Sequence, residues 1–498
     1  MNSNPIKNPC RKGKLSIEPL YLYLNRFKQR SIIIPMAIKR MRGSPSPPSI
    51  ANTEAKRRSS SMPKWGQLVG DVLLPILNRL SFVDVQRAKT VCLHWNSVAK
   101  QLKLYTKFHR IPWLLIPPQD EESRASSDTS TKLFSIEEGQ LYSSKYGASK
   151  EICYQGFCVG SSHGYMISIN CERNTLFVFN PLTEKRTELP AMDTFLGRIS
   201  EDMDNGGEYL IEFAPEAASD SRFYRGWTCS RQLREHFIQK AILSCDPCLN
   251  KSYGVVLICC QNSKIAFCQC GDSGAMSWMY LEGMDAPFHD IMCHENKLYA
   301  LANCGSLAVW DLGSDSFPVS TQTITSLFWS APLRQTLNVS SDLYTSRLYL
   351  VESSGGVLLV VRRIGEFVDE EGRVLREGDL LTDKAAEPLV CAYRTLLFGL
   401  FRMDFDKETW VSMTSLDDQA VFVGGNHSAS VLACDLPGCE KNSVYFTDDY
   451  WERMNEDYLY GGHDMGVYNL KDKSGKHFYQ LDALKIQPPP CWFLPNPW

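Results

Sequence analysis

The sequence predicts a multidomain protein of the α plus all-β type: a short helical module, then a closed series of β-sheets, with a basic tail ahead of both. Three observations carry this reading. Leu73, Ile76, Leu77 and Leu80 fall at i, i+3, i+4 and i+7, and Ala88, Val91, Cys92 and Trp95 repeat that spacing after Asp84, a residue suited to capping a helix. From about residue 130 to the C-terminus the helical period gives way to short β-type runs separated by turn residues. Residues 1–64 hold 14 Lys and Arg against 2 Asp and Glu, so they carry +12 while the remaining 434 residues carry −15.

At 498 residues, 44% hydrophobic and 22% charged, the chain exceeds one typical core and reads as folded rather than disordered. Its 18 Cys would suggest disulfides in a secreted protein. Met1, however, is followed by polar and basic residues, and Ile32 to Ile34 is too short for a signal peptide, so a reducing compartment is expected. No window approaches the roughly 18 apolar residues of a membrane span.

The tail comes first. Residues 1–64 mix basic clusters such as Arg11-Lys12-Gly13-Lys14 and Lys56-Arg57-Arg58 with Ser and Pro runs, a composition that cannot form a packed core and is assigned as disordered. The basic clusters also fit a nuclear-import signal, and the expected location is nucleus, cytoplasm or both. Residues 65–110 are the helical module. Its first ~36 residues, 65–100, are too few for a self-sufficient core, so its apolar faces need a neighbouring domain or another chain. Residues 111–130 are assigned as a linker, because Ile111-Pro112-Trp113-Leu114-Leu115-Ile116-Pro117-Pro118 reads as extended and Gln119 to Thr131 as a polar loop.

Residues 131–498 form the β region. Phe157 to Ser162, Tyr165 to Asn170, Thr175 to Asn180 and Lys185 to Leu189 read as four successive strands. A second block spans Ala241 to Leu281 and a third Asp290 to Leu312, and three less regular ones lie around 347–363, 396–424 and 443–479. Loosely repeated four-stranded meanders over this length predict a β-propeller of about six blades, since closing the ring leaves only short, protected sheet edges. Residues 365–388, dense in Glu, Asp and Arg, read as an inserted loop.

Leu68-Val69-Gly70-Asp71-Val72-Leu73, followed by Ile76, Arg79-Leu80, Asp84, Val91-Cys92 and Trp95, resembles the F-box family, whose helices bind a Skp-type adaptor. The family's Leu-Pro pair is here Leu68-Val69, which removes a fixed φ at the entrance to the first helix. If Asp71 caps that helix, Pro75 falls within its first turn, where the missing N–H costs little. The resemblance implies adaptor contact by Leu68, Val69, Leu73, Ile76, Leu77, Leu80, Val91, Cys92 and Trp95.

The β region resembles the plant F-box proteins with a KIB-type β-propeller domain. Asn180-Pro181-Leu182-Thr183, Ala266-Phe267-Cys268, Phe288-His289-Asp290, Val421-Phe422-Val423-Gly424, Val444 to Asp449, Asp464 to Tyr468 and the closing Pro488-Pro489-Pro490-Cys491-Trp492-Phe493 carry that resemblance. It implies the substrate-recognition subunit of a Skp-cullin-F-box type ubiquitin ligase, bound to the adaptor and through it to a cullin, with an unknown protein target and no catalysis of its own. The alternative is a ligase-independent scaffold or protein-binding regulator. No cofactor, membrane or nucleic-acid partner is expected.

Gly160-Ser161-Ser162-His163-Gly164 matches the nucleophile-elbow pattern, but a strand rather than a helix follows, so His163-Gly164 is read as a hairpin turn. Cys245, Cys248, Cys268 and Cys270 have zinc-like spacing, yet Cys268 and Cys270 read as same-face residues of a buried strand. Asp202 to Gly206 lacks a calcium ligand at its third position. Asp448, Asp449, Asp464 and His463 make a drawable acid-base group, and nothing in the sequence shows that they converge.

Overall fold

The computed structural model describes residues 68–496 with interruptions, the longest being 117–130, 145–157, 213–223, 228–237, 326–342, 377–391 and 451–460. The basic tail, nearly all of the polar loop and much of the acidic insertion lie outside the described residues. Among the described residues no helix is long and apolar enough to cross a membrane.

Among the described residues the module has three helices, α1 (Gly70–Leu77), α2 (Phe82–Lys89) and α3 (Leu93–Tyr105), where two were expected. The break falls at Thr90 to Cys92. Thr90 and Val91 N–H groups tighten onto the carbonyls of Arg87 and Ala88, and Cys92 then starts a new helix. Its carbonyl accepts from Asn96 N–H at 3.0 Å and its thiol from Trp95 N–H at 3.5 Å, so Cys92 caps α3. Asp84 sits in the first turn of α2, not at its cap, and pairs with Arg87 at 2.7 Å. Pro75 lies near the end of the short α1, past its first turn. The module owns a small core of Leu73, Leu77, Val85, Ala88, Val98, Ala99 and Leu102.

Six blades surround one axis. Blade 2 is Cys158–Ser162, Tyr165–Asn170, Thr175–Phe179 and Arg186–Ala191, in order from the inside out. A three-stranded sheet over Arg198–Asp202, Glu208–Glu212 and Tyr224–Trp227 separates it in sequence from blade 3, built on Ile238–Leu243, Tyr253–Cys259 and Lys264–Gly271. Blade 4 is Phe288–His294, Lys297–Ala302, Leu307–Asp311 and Val319–Ile324, and blade 5 is Tyr344–Ser353, Gly356–Val368, Ala392–Asp404 and Thr409–Met413. Blade 6 enters on its second strand, Gln419–Val423, turns back into the inner strand Ser428–Leu432, and crosses to Ser443–Phe446. That crossing makes Ser443–Phe446 parallel to Gln419–Val423, a pairing that hairpins alone cannot produce.

Blade 1 corrects the domain boundaries read from sequence. The stretch assigned to the linker supplies the strand Trp113–Ile116, which pairs with Thr131–Ser135 on one side and with the C-terminal strand Cys491–Phe493 on the other. Its run is apolar on both faces because both faces are covered. Leu114 and Ile116 face the last blade, while Trp113 and Leu115 face blade 2. The ring is thus closed by the two ends of the β region. The blade count is six as expected, but the blocks at 347–363 and 396–424 merge and redivide into blades 5 and 6.

Each neighbouring pair of blades shares one apolar cluster. Closure at blades 6 and 1 has its own polar lock: Asn426 donates from Nδ2 to the Trp492 carbonyl at 2.7 Å and accepts the Trp492 N–H at Oδ1 at 3.2 Å. Its amide therefore pairs with Trp492 as a strand residue would. The Asn426 carbonyl accepts Ser161 N–H at 2.8 Å, tying in blade 2. Toward the axis, Lys240 of blade 3 pairs with Asp290 of blade 4 at 2.5 Å, and Asp290 accepts Leu350 N–H of blade 5 at 2.7 Å.

Candidate functional site

The helical module presents two apolar faces with different fates. Phe82 and Val83 of α2 are buried in the cluster between blades 1 and 2, with Phe82 edge-on to Trp113 at 5.4 Å and Trp113 stacked on Tyr142 at 5.4 Å. This joint is a packed aromatic contact that fixes the module on the ring. The other face is open: Val69, Val72, Ile76, Val91 and Leu93 are 63%, 49%, 40%, 57% and 88% exposed.

The residues named from sequence divide between these environments. Val69, Ile76 and Val91 lie in the open strip. Leu73 and Leu77 are fully buried in the module's own core, against which Leu68, Leu80 and Trp95 pack from its margin, and Cys92 caps α3. Val72 and Leu93 were missed. The signal for Val72 was present, since α1 is apolar nearly all round and its own core takes only one side; Leu93 needed the break between α2 and α3.

Val69 is the N-cap of α1 with φ −65° and ψ 149°, the φ a proline would impose, and its side chain makes no capping hydrogen bond. The departure from Leu-Pro thus costs preorganisation rather than geometry. Val69→Pro is expected to raise the unfolding free energy by about 0.5 to 1 kcal/mol, read by denaturant titration. A destabilised variant would show that the Val69 N–H or side chain is needed.

A second constellation lies between blades 5 and 6, and here the acidic residues converge. Arg362, fully buried, donates to Asp449 at 3.0 Å, to Asp464 Oδ2 and its carbonyl at 2.8 Å each, to the Thr447 carbonyl at 2.7 Å and to Thr395 Oγ1 at 2.7 Å. Tyr349 bonds Asp449 at 2.8 Å, and Thr395 donates to Asp464 from both its N–H and its hydroxyl. Asp448 stands beside them and accepts from Tyr393 O–H at 2.6 Å and from the N–H groups of Gly462, Asp464 and Tyr450. The sequence missed Arg362; its signal was a charge directly after the run Leu358-Leu359-Val360-Val361, which reads as buried strand.

Burial first, and then the charge of Asp464, push the Asp448 carboxyl up to about 7 against the opposing pull of Arg362. The native state then holds a proton that the unfolded chain has lost, from about pH 4 to about pH 7, so stability falls as pH rises through that window. Asp448→Asn removes this dependence. The thermal midpoint of the wild type is expected to drop more than that of Asp448→Asn between about pH 5 and about pH 8. Equal drops would mean that Asp448 is ionised throughout.

Comparison with known proteins follows the same division. A family model for the F-box domain matches residues 65–107, and one for the KIB1-4 beta-propeller matches residues 133–469. The chain belongs to the KIB1-4 β-propeller family. Relatives of this KIB1-4 propeller protein include a putative F-box protein of Arabidopsis thaliana, 25% identical over 455 residues, 88% of this chain and 97% of that one. A probable F-box protein of the same plant is 23% identical over 446 residues, covering 87% and 96%. F-box protein SKIP23, also from Arabidopsis thaliana, is 23% identical over 444 residues, covering 86% and 96%.

In this KIB1-4 family member the elbow and cysteine motifs serve the fold, and most of the Asp202 to Gly206 loop lies outside the described residues. Ser162 ends one strand and His163 and Gly164, with φ of 53° and 83°, make the two-residue turn into the next. Cys268 and Cys270 lie in the apolar cluster between blades 2 and 3, with Cys245 and Cys248 against its edge. Cys248 is within 3.4 Å of the Tyr165 hydroxyl.

Proposed function

We propose that this F-box protein is the target-recognition subunit of a Skp-cullin-F-box type ubiquitin ligase. The observation that carries the reading is the set Val69, Val72, Ile76, Val91 and Leu93, left open on a module that the ring covers at Phe82 and Val83. Such a strip needs an apolar partner, and the F-box match supports a Skp-type adaptor, with a cullin joined through it. The propeller then holds a protein target. Its contribution is positional: tethering the target near a charged ubiquitin carrier raises their effective concentration, so the chain itself makes and breaks no bonds and uses no cofactor. Because α2 is packed on blades 1 and 2, target and adaptor keep a defined separation. The basic clusters of the tail fit work in the nucleus, the cytoplasm or both.

The test is co-purification with a Skp-type adaptor. Leu77 is unsuitable, since a carboxylate there would destroy the module's core. Val72→Asp with Ile76→Asp instead alters the open strip. Each side chain is worth roughly 1.5 to 3 kcal/mol when covered, and a buried carboxylate costs several more, so binding is expected to fall by orders of magnitude with the unfolding midpoint unchanged. Equal recovery by wild type and variant, or none by wild type, would favour the ligase-independent scaffold.

A further inference from the structure

We infer that the raised wall of blade 5, where it stands above blade 4, is a docking surface for an acidic segment of a protein partner; this rests on the receptor reading and names the chemistry of its target. The wall follows from strand lengths. Asp290 accepts the Leu350 N–H, so those two residues are level. Blade 4 begins two residues before that level, at Phe288, but blade 5 begins six before it, at Tyr344. Four extra residues at about 3.3 Å each lift blade 5 by about 13 Å over its neighbour. The second and third strands of blade 5, Gly356–Val368 and Ala392–Asp404, continue this extension.

The side of the wall toward blade 4 carries a specific set. Arg363 is paired in register with Ser346 on one side and Leu397 on the other, so these residues share a face, opposite to that of Arg362. The Arg363 guanidinium lies over the Tyr344 ring at 5.0 Å, and Leu397 beside it is exposed. Arg394 stands exposed two register positions further up, opposite Gly365. Among the described residues neither Arg363 nor Arg394 has a carboxylate partner, although the chain beyond residue 64 carries −15 and acidic groups are in surplus. Burial pulls the Arg363 guanidinium below its ordinary range, against Tyr344, which raises it. A half-buried guanidinium on an aromatic face, flanked by an exposed Leu and a second Arg, fits carboxylates set among apolar side chains.

The probe is a short fluorescein-labelled peptide rich in glutamate and leucine, with a counterpart carrying lysine for glutamate, titrated by anisotropy into the full chain bound to its adaptor. Saturable binding of the acidic peptide alone is expected, weakening by about tenfold or more between about 50 and about 300 mM salt. Arg363→Gln with Arg394→Gln should weaken it by a similar factor, while Arg363→Lys with Arg394→Lys retains part; unfolding midpoints of both guard against misfolding. Equal affinity for wild type and the Gln variant, no binding of the acidic peptide, or tighter binding of a single-stranded RNA of matched length overturns the inference. Adaptor recovered in those samples leaves the receptor reading standing; its absence removes that reading separately.

Discussion

Trp492→Ala is expected to lower the stability of the ring by about 3 to 5 kcal/mol, among the largest effects of any single core substitution. The indole is fully buried between Phe422, edge-on at 5.1 Å, and Phe478, stacked at 5.8 Å, and its Nε1–H donates to the Val423 carbonyl at 2.9 Å. Removing it opens a cavity between blades 6 and 1, and it leaves that carbonyl with only the longer bond from Thr447 N–H at 3.2 Å. Chemical denaturation followed by fluorescence and circular dichroism measures the loss. Removal of residues 489–498 should go further, because Trp113–Ile116 then becomes an unpaired inner edge and the ring cannot close. That variant is expected to aggregate or to unfold without a cooperative transition. A loss below about 1 kcal/mol for Trp492→Ala, or cooperative unfolding of the truncated chain, would show that closure resides elsewhere.

The second large effect is expected at Arg362. Replacing it by Met leaves Asp449 and Asp464 buried without their cation, at a cost of about 3 to 5 kcal/mol. The cost has a pH signature that a packing defect lacks. Orphaned buried carboxylates are forced toward protonation, so their native pKa rises above the unfolded value; the damage is smallest in acid and grows as pH rises past the ordinary carboxylate range. Adding Asp449→Asn and Asp464→Asn should recover much of the loss, because the network then contains no unpaired charge. Denaturant titrations of the three proteins at acidic and neutral pH make the comparison. A pH-independent loss, or no recovery in the triple variant, would assign Arg362 a space-filling role over the Phe446 ring, from which it is 4.7 Å away.

These two sites mark where reading the chain as a string falls short. Blade 2 was legible because each of its strands pairs with the next through short turns, so its alternation and its His163-Gly164 turn are local features. Blade 6 was not, because the parallel pairing of Ser443–Phe446 with Gln419–Val423 is made by a crossing that leaves no periodic trace. The acidic residues of the 443–479 block were visible as residues, but their meaning was not. Asp448, Asp449 and Asp464 read as turn formers until another blade brings Arg362 and Thr395 to Asp449 and Asp464 and Tyr393 to Asp448.

By itself the sequence determined the helical module, the β structure that follows it and the repetition that a ring of blades requires, since hydrophobic period and turn chemistry are properties of neighbours along the chain. Only the tertiary structure decided which face of α1 stays open, that a supposed linker is a strand, and that the last strand of the chain completes the first blade. An apolar residue records that it must be covered, not by what. Leu73 and Val72 carry the same instruction, and the fold buries one in the module and leaves the other for a partner.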